Sequence, residues 1–125
     1  MRILLDTHVL LWWLNNNSPL SEKAYQVICE STNLVFVSAA TAWEISIKKA
    51  LGKLQAPDDL EDALIANRFQ SLPITVPHEW LAGQLPHHHD DPFDRLLIAQ
   101  SKIEGFTLVT RDQKQTLYDV KTIIA

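Results

Sequence analysis

Cysteine is almost missing from this 125-residue chain, and so are long apolar runs and any surplus of positive charge. Cys29, standing alone, excludes an intrachain disulfide and a cysteine-rich zinc module, which fits a reducing compartment and a cytosolic home. No stretch approaches the roughly 20 consecutive apolar residues that a membrane helix needs, and the apolar N-terminus is interrupted at once by Asp6 and His8. The expectation is neither a signal peptide nor an anchor, and no membrane partner. With 15 acidic against 11 basic side chains, the formal net charge is −4. Holding nucleic acid by bulk positive charge is thereby excluded, so any role on nucleic acid has to be local and assisted by a metal ion.

What is present suits one packed core, since 46% of the residues are hydrophobic and the length is too short for two ordinary domains. Short runs rich in β-branched or aromatic residues predict five strands, at Ile3 to Leu5, Leu34 to Val37, Leu72 to Val76, Thr107 to Val109 and Lys121 to Ile124. Between them, helical spacing covers 8–16, 19–31, 39–54, 57–70, 77–84 and 92–104, with a short turn after 111. Ser18-Pro19, Ala56-Pro57 and Asp91-Pro92 each place proline at or near a first helical position, and Gly105 is a natural stop for the helix begun at Pro92. Alternating strands and helices predict an α/β fold with a mostly parallel sheet covered on both faces.

Four acids stand out by position. Asp6 and Asp112 each follow an apolar strand, and in open α/β sheets the carboxyl ends of strands border the ligand crevice. Both would also serve as helix caps. Glu44 lies in a helix that Ser38 caps, beside an apolar stripe of Ala40, Trp43, Ile47, Ala50 and Leu51, and so at the rim of the core. Its plainer role is an ion pair with Lys48 one turn on. In Asp91-Pro92-Phe93-Asp94, Asp91 is the N-cap and Asp94 falls at the third helical position, favoured by the helix dipole and free to project or to cap in turn. Four converging carboxylates repel one another and raise each other's pKa unless a cation sits among them. Oxygen ligands favour hard ions, Mg²⁺ or Mn²⁺, and such an ion beside a phosphodiester suits phosphoryl chemistry.

Leu4-Leu5-Asp6-Thr7-His8, Ser38-Ala39-Ala40-Thr41-Ala42-Trp43-Glu44-Ile45, Asp91-Pro92-Phe93-Asp94-Arg95-Leu96-Leu97-Ile98-Ala99-Gln100 and Leu108-Val109-Thr110-Arg111-Asp112 span nearly the whole chain. In this order they resemble a PIN-domain ribonuclease, specifically a VapC-type toxin of a bacterial type II toxin-antitoxin pair. The resemblance implies one PIN domain over 1–125, a three-layer fold with a central, mostly parallel five-stranded sheet flanked by helices. It implies an endoribonuclease in the cytoplasm whose metal-binding and catalytic residues are Asp6, Glu44, Asp94 and Asp112, with Asp6 and Asp94 as principal ligands of Mg²⁺ or Mn²⁺. Thr7 and Thr110 match polar positions that orient a carboxylate or a water. RNA is the implied substrate, cleaved to a 5′-phosphate and a 3′-hydroxyl. A cognate antitoxin and a second copy of the chain, joined through the early helices, are the implied protein partners. Asp90 departs from the pattern, because relatives often carry Arg before the Asp-Pro pair, and this puts a contact to RNA or a partner in doubt.

Other residues invite weaker readings. His87, His88 and His89 suit a solvated loop in which His88 or His89 braces the next helix better than a zinc or nickel site, since consecutive histidines cannot all face one ion. His8 is read as a hydrogen-bonding core histidine, with general-base work as its alternative. Trp43 is expected in the core, while Trp12 and Trp13 leave an apolar surface for a partner or a second copy, and Trp80 is available for base stacking. Lys48, Lys49, Lys53, Arg95 and Arg111 are the cations nearest the acids, open to phosphate contact or plain solvation. Among rival functions, a phospho-receiver domain would carry paired acids after its first strand and a phosphoacceptor Asp where Ser38 stands. A phosphatase using Asp6 as nucleophile would need a second Asp two residues on, where His8 stands. A non-catalytic binding module is disfavoured by the presence of all four acids.

Overall fold

The computed structural model describes residues 1–15 and 19–125. Strands β1 (Arg2–Leu5), β2 (Leu34–Ser38), β3 (Gln70–Leu72), β4 (Thr107–Thr110) and β5 (Thr122–Ile124) form one sheet in the order β3-β2-β1-β4-β5. Every pairing is parallel, so the carboxyl ends of all five strands lie along one edge. Among the described residues, six α-helices flank the sheet: α1 (Thr7–Leu14), α2 (Glu22–Cys29), α3 (Ala39–Ala50), α4 (Leu60–Ala66), α5 (Val76–Gln84) and α6 (Pro92–Glu104).

Alternation along the central strands divides the core in two. Ile3, Leu5, Val35, Val37, Val109 and Ile123 bury one face beneath Val9, Leu10, Ala24 and Ile28 of α1 and α2. Leu4, Leu72 and Leu108 bury the other beneath Ala82 of α5 and Leu97 and Ile98 of α6. Successive strand residues point to opposite faces, so a sheet covered on both sides needs an unbroken apolar run such as Ile3-Leu4-Leu5. This is the three-layer α/β fold that the sequence predicts. No helix among the described residues is long and apolar enough to cross a membrane.

Several boundaries differ from expectation for local reasons. The third strand runs from Gln70 to Leu72 rather than from Leu72 to Val76, because Pro73 offers no N–H to the ladder and Thr75 is already the cap of α5. There the Thr75 N–H donates to Nδ1 of buried His78 at 3.0 Å, and the β-branched Thr75-Val76 pair enters a helix. Helix α4 begins after Asp59, which caps the Asp62 N–H at 3.0 Å, and not at Pro57. Beyond it, Arg68 takes a left-handed φ of 59°, turning the chain into β3 before position 70. Helix α3 stops at Ala50, and Gly52 adopts φ 69°, which glycine tolerates without a Cβ clash. Helix α2 starts after Ser21, whose hydroxyl accepts the Ala24 N–H at 3.1 Å, so Pro19 precedes the helix rather than opening it. Ser18, paired with Pro19 in that reading, and position 16, the expected end of the first helix, lie outside the described residues.

Candidate metal centre

The edge formed by the strand carboxyl ends collects the acids. Asp6 leaves β1 and caps α1, accepting the His8 N–H at 3.1 Å on Oδ1. The capping role and a place at the crevice are therefore one position. Its Oδ2 accepts the Thr110 hydroxyl at 2.6 Å, a bond from β1 to the neighbouring β4. Thr110 is also 2.6 Å from the Gln115 side-chain amide and accepts the Asp112 N–H at 3.0 Å. A hydroxyl has one proton, and Gln115 Nε2 is buried without a partner. Turning the Gln115 amide end for end satisfies both, with Gln115 and Asp112 N–H groups donating to Thr110 and Thr110 donating to Asp6. Burial raises the Asp6 pKa above the usual carboxylate value, partly offset by the Thr110 hydroxyl and the His8 N–H.

Glu44 is buried, 3% exposed, on the side of α3 that packs toward α1 and α6. Its Oε1 accepts the Thr7 hydroxyl at 2.7 Å and its Oε2 the Lys48 ammonium at 2.6 Å. The expected pair one turn along the helix forms, but inside the site, where Glu44 raises the Lys48 pKa through that bond. Thr41, 3.1 Å from Thr7, completes this polar slot. Apart from buried Ala40, the apolar stripe expected to face the core faces out instead: Trp43 is 63% and Leu51 63% exposed, and Trp43 lies edge-on to Phe93, ring centroids 5.7 Å apart. The expectation of a buried Trp43 is thus overturned, because the inward positions of α3 go to Ala40, Thr41, Glu44 and Ile45.

At the start of α6, Asp91 caps the helix by accepting the Phe93 and Asp94 N–H groups at 2.8 and 3.2 Å, which frees the Asp94 side chain. Burial, and then the charges of Asp6, Asp91, Glu44 and Asp112, push the Asp94 pKa up to about 8. All four sequence-predicted acids are therefore electrostatic neighbours at one edge. Asp112, two residues beyond β4, accepts the Lys114 N–H at 2.9 Å and the His89 ring at 2.8 Å. Burial raises its pKa, but those hydrogen bonds together with the charges of His89 and Lys114 hold the carboxyl below its usual value.

His89 is the site residue that sequence reasoning underrated. Its Nε2 stands 2.8 Å from Asp112 Oδ2 and 3.0 Å from Asp94 Oδ2, while its Nδ1 accepts the Asp91 N–H at 3.1 Å. The bracing role expected for His88 or His89 falls to His89. His88 lies edge-on to Tyr118, ring centroids 5.0 Å apart, and His87 is exposed. The usable signal for His89 is its place two residues before a helix cap; Gln115, fully buried in a short turn, offers none. Arg95 is buried and donates to the carbonyls of Ala82, Leu85, Pro86 and His89, so it clamps the histidine loop rather than waiting for phosphate. Arg111 bonds the carbonyls of Ala125 and Pro19 and lies 4.6 Å over the Trp12 ring. Lys49 is tied to Ala56 and Asp58, and Lys53 is exposed. His8 is exposed at the rim, 4.0 Å from Asp6, not in the core. Trp12 and Trp13 are half-buried, the latter donating to Asn67 at 3.0 Å, so the open apolar surface expected of them lies on Trp43 and Trp80 instead.

The fold is shared with known proteins. The family profile described as PIN domain matches residues 3–121, and the chain belongs to that family. Ribonuclease VapC22 of Mycobacterium tuberculosis is 30% identical over 115 residues, covering 90% of this chain and 88% of that protein. The fold matches VapBC2 from Rickettsia felis bound to a promoter DNA fragment, with a TM-score of 0.72 at 15% identity over 98% of both chains. It also matches FitAcB from Neisseria gonorrhoeae, with a TM-score of 0.64 at 22% identity over 99% of this chain and 97% of that one.

Proposed function

We propose that this PIN-domain protein is a metal-dependent endoribonuclease, the toxin of a toxin-antitoxin pair acting in the cytoplasm, with Asp6, Glu44, Asp94 and Asp112 as its metal-binding and catalytic acids. The observation that carries the reading is Asp94. Its neighbours Asp6, Glu44 and Asp112 each have hydrogen-bond donors on their oxygens, whereas the Asp94 carboxyl has, among the described residues, close contact only with the shared His89 ring, and the Lys48 ammonium acts on it from farther off. A pKa near 8 marks a carboxyl whose charged form awaits a cation. The donor set fits a hard ion, because the acids present oxygen and no thiolate is near.

Asp94 and Asp6 would hold Mg²⁺ or Mn²⁺, with Glu44 and Asp112 completing or sharing the ligand set. Such an ion, when bound, lowers the pKa of water and neutralises charge developing on a phosphodiester. Hydrolysis joins a water oxygen to phosphorus and breaks the bond to the 3′-oxygen, leaving a 5′-phosphate and a 3′-hydroxyl. Thr110 and Thr7 fix Asp6 and Glu44 through one hydroxyl each, and Lys48, held against Glu44, is a cation at the rim of the site. The relatives support the class, since one is named a ribonuclease and a toxin-antitoxin complex from Klebsiella pneumoniae shares the fold, with a TM-score of 0.65 at 16% identity. An antitoxin suits this surface, because the cluster of acids attracts Arg or Lys and the exposed Trp43, Ile47 and Leu51 lie on the helix that carries Glu44. A second copy is proposed as a further partner. Cleavage of a defined RNA by the pure protein should vanish in EDTA and return with excess Mg²⁺; cleavage that persists in EDTA would remove the metal from the mechanism.

A further inference from the structure

His89 and the carboxylates of Asp94 and Asp112 present ligand atoms within 4.8 Å of one another, the spacing of a mixed nitrogen and oxygen metal cluster. The ring's other nitrogen decides against that use. Nδ1 accepts the Asp91 N–H at 3.1 Å, so its lone pair is occupied and the ring proton resides on Nε2. To ligate an ion through Nε2, the ring would have to carry its proton on Nδ1, where it would meet the Asp91 N–H as a second donor. That N–H belongs to the cap residue of α6, and losing its partner would loosen the turn that sets Asp94. The ring is also fixed from behind. The His89 N–H donates to the Tyr118 hydroxyl at 2.9 Å, its carbonyl accepts from buried Arg95 at 3.1 Å, and Tyr118 in turn donates to Pro86 at 2.7 Å.

We infer that His89 is a positioning residue for the proposed metal site: its Nε2–H donates to Asp112, faces Asp94, and fixes both carboxylates without entering the ion's ligand shell. The inference rests on the metal-dependent reading above and adds a consequence to it. With the imidazole reserved as a donor, the ligand set stays all oxygen, and the site selects Mg²⁺ or Mn²⁺ over ions that seek nitrogen, such as Zn²⁺ or Ni²⁺. His89 then holds the relative placement of two acids that come from different elements, α6 and the segment after β4.

Nitrogen-15 spectra of the imidazole test the donor directly in the wild type. The expected result is a ring protonated at Nε2 and bare at Nδ1, unchanged when Mg²⁺ is added; loss of the Nε2 proton on adding Mg²⁺ would make His89 a ligand and overturn the inference. Binding of Mn²⁺, followed by electron paramagnetic resonance, supplies the second readout. His89→Ala should weaken Mn²⁺ by about tenfold or more, whereas His89→Gln, whose amide N–H reaches the place of Nε2, should stay within about threefold of wild type. Equal loss in both variants, or no loss in either, contradicts a donor role. A wild type that binds no Mn²⁺ overturns the metal reading itself, and the role of His89 toward an ion with it, while the ring's tautomer still reports whether the donor geometry exists.

Discussion

Helices α3 and α6 each deliver one acid to the same edge of the sheet, yet they do so with opposite faces. In α6 the pattern is the ordinary one: Leu97, Ile98 and Ala99 are buried, and Asp94 projects from the first turn beside its cap. In α3 the apolar stripe of Trp43, Ile47 and Leu51 is exposed, and the charged Glu44 is inside. An unpartnered buried carboxylate costs several kcal/mol, but Thr7 and Lys48 take both Glu44 oxygens, so the inward slot of α3 is stable when filled by polar groups. The difference teaches that α3 keeps its largest apolar side chains outside and turns a hydrogen-bonded acid inward beside Ala40 and Ile45, whereas α6 buries its run of apolar residues.

Replacing the acid of each helix should separate these two modes. Asp94→Asn keeps the volume and removes the charge, so RNA cleavage at matched Mg²⁺ should fall by about a hundredfold or more, with the fold intact. Equal rates from two well-folded proteins would discard the mechanism. Glu44→Ala strands the Thr7 hydroxyl and the Lys48 ammonium, and chemical denaturation should show a loss of about 2 kcal/mol, reduced from a fully buried pair because Lys48 is partly solvated. Unchanged stability would mean that the polar slot does not orient α3.

The charge on α6 has its own signature in pH. A pKa of about 8 in the folded protein, against an ordinary value of 3.8, means that the ion-free native state holds a proton on Asp94 that the unfolded chain has released. Stability of the ion-free protein should therefore decline as pH rises from about 4 to about 8. Thermal melts of Asp94→Asn should lack that component, and a wild-type and variant pair with parallel profiles would show that the site does not strain Asp94. The smallest effect belongs to the outer face of α3. Trp43→Ala should change stability by only about 0.5 kcal/mol, since the side chain is mostly exposed, yet weaken binding of the antitoxin in a titration. Large destabilisation with unaltered binding would place Trp43 in the core's service after all.

Legibility followed the reach of each signal. Strands β1 and β4 are readable because a two-sided sheet demands a continuous apolar run, and Asp6 and Asp112 mark where that run stops. The start of α6 is readable because Asp91 and Pro92 act within one turn. Strand β3 was displaced because the β-branched stretch from Ile74 to Val76 favours a strand locally, while Pro73 and the contact between Thr75 and His78 convert it into a turn and a helix start. The face of α3 was not readable, since helical spacing ranks residues by hydrophobicity and the partners of Glu44 come from α1 and from the next turn of α3. His89 and the clamp at Arg95 depend on contacts between separate segments of the chain, 23 residues from His89 to Asp112 among them, while Gln115 meets Thr110 only through the fold of the turn after β4.

By itself, the sequence determined the order of strands and helices and the parallel three-layer class, and it singled out the four candidate acids. Those depend on periodicity, on caps and on the abrupt change from apolar to charged at a strand end, all of which act over a few residues. Only the tertiary structure decided which side of α3 faces inward, which histidine meets the acids, and that the pKa of Asp94 is raised while that of Asp112 is lowered. Each of those is settled by what stands across a gap between elements, where one hydroxyl or one ring nitrogen has a single proton to give and only the folded chain determines which oxygen receives it.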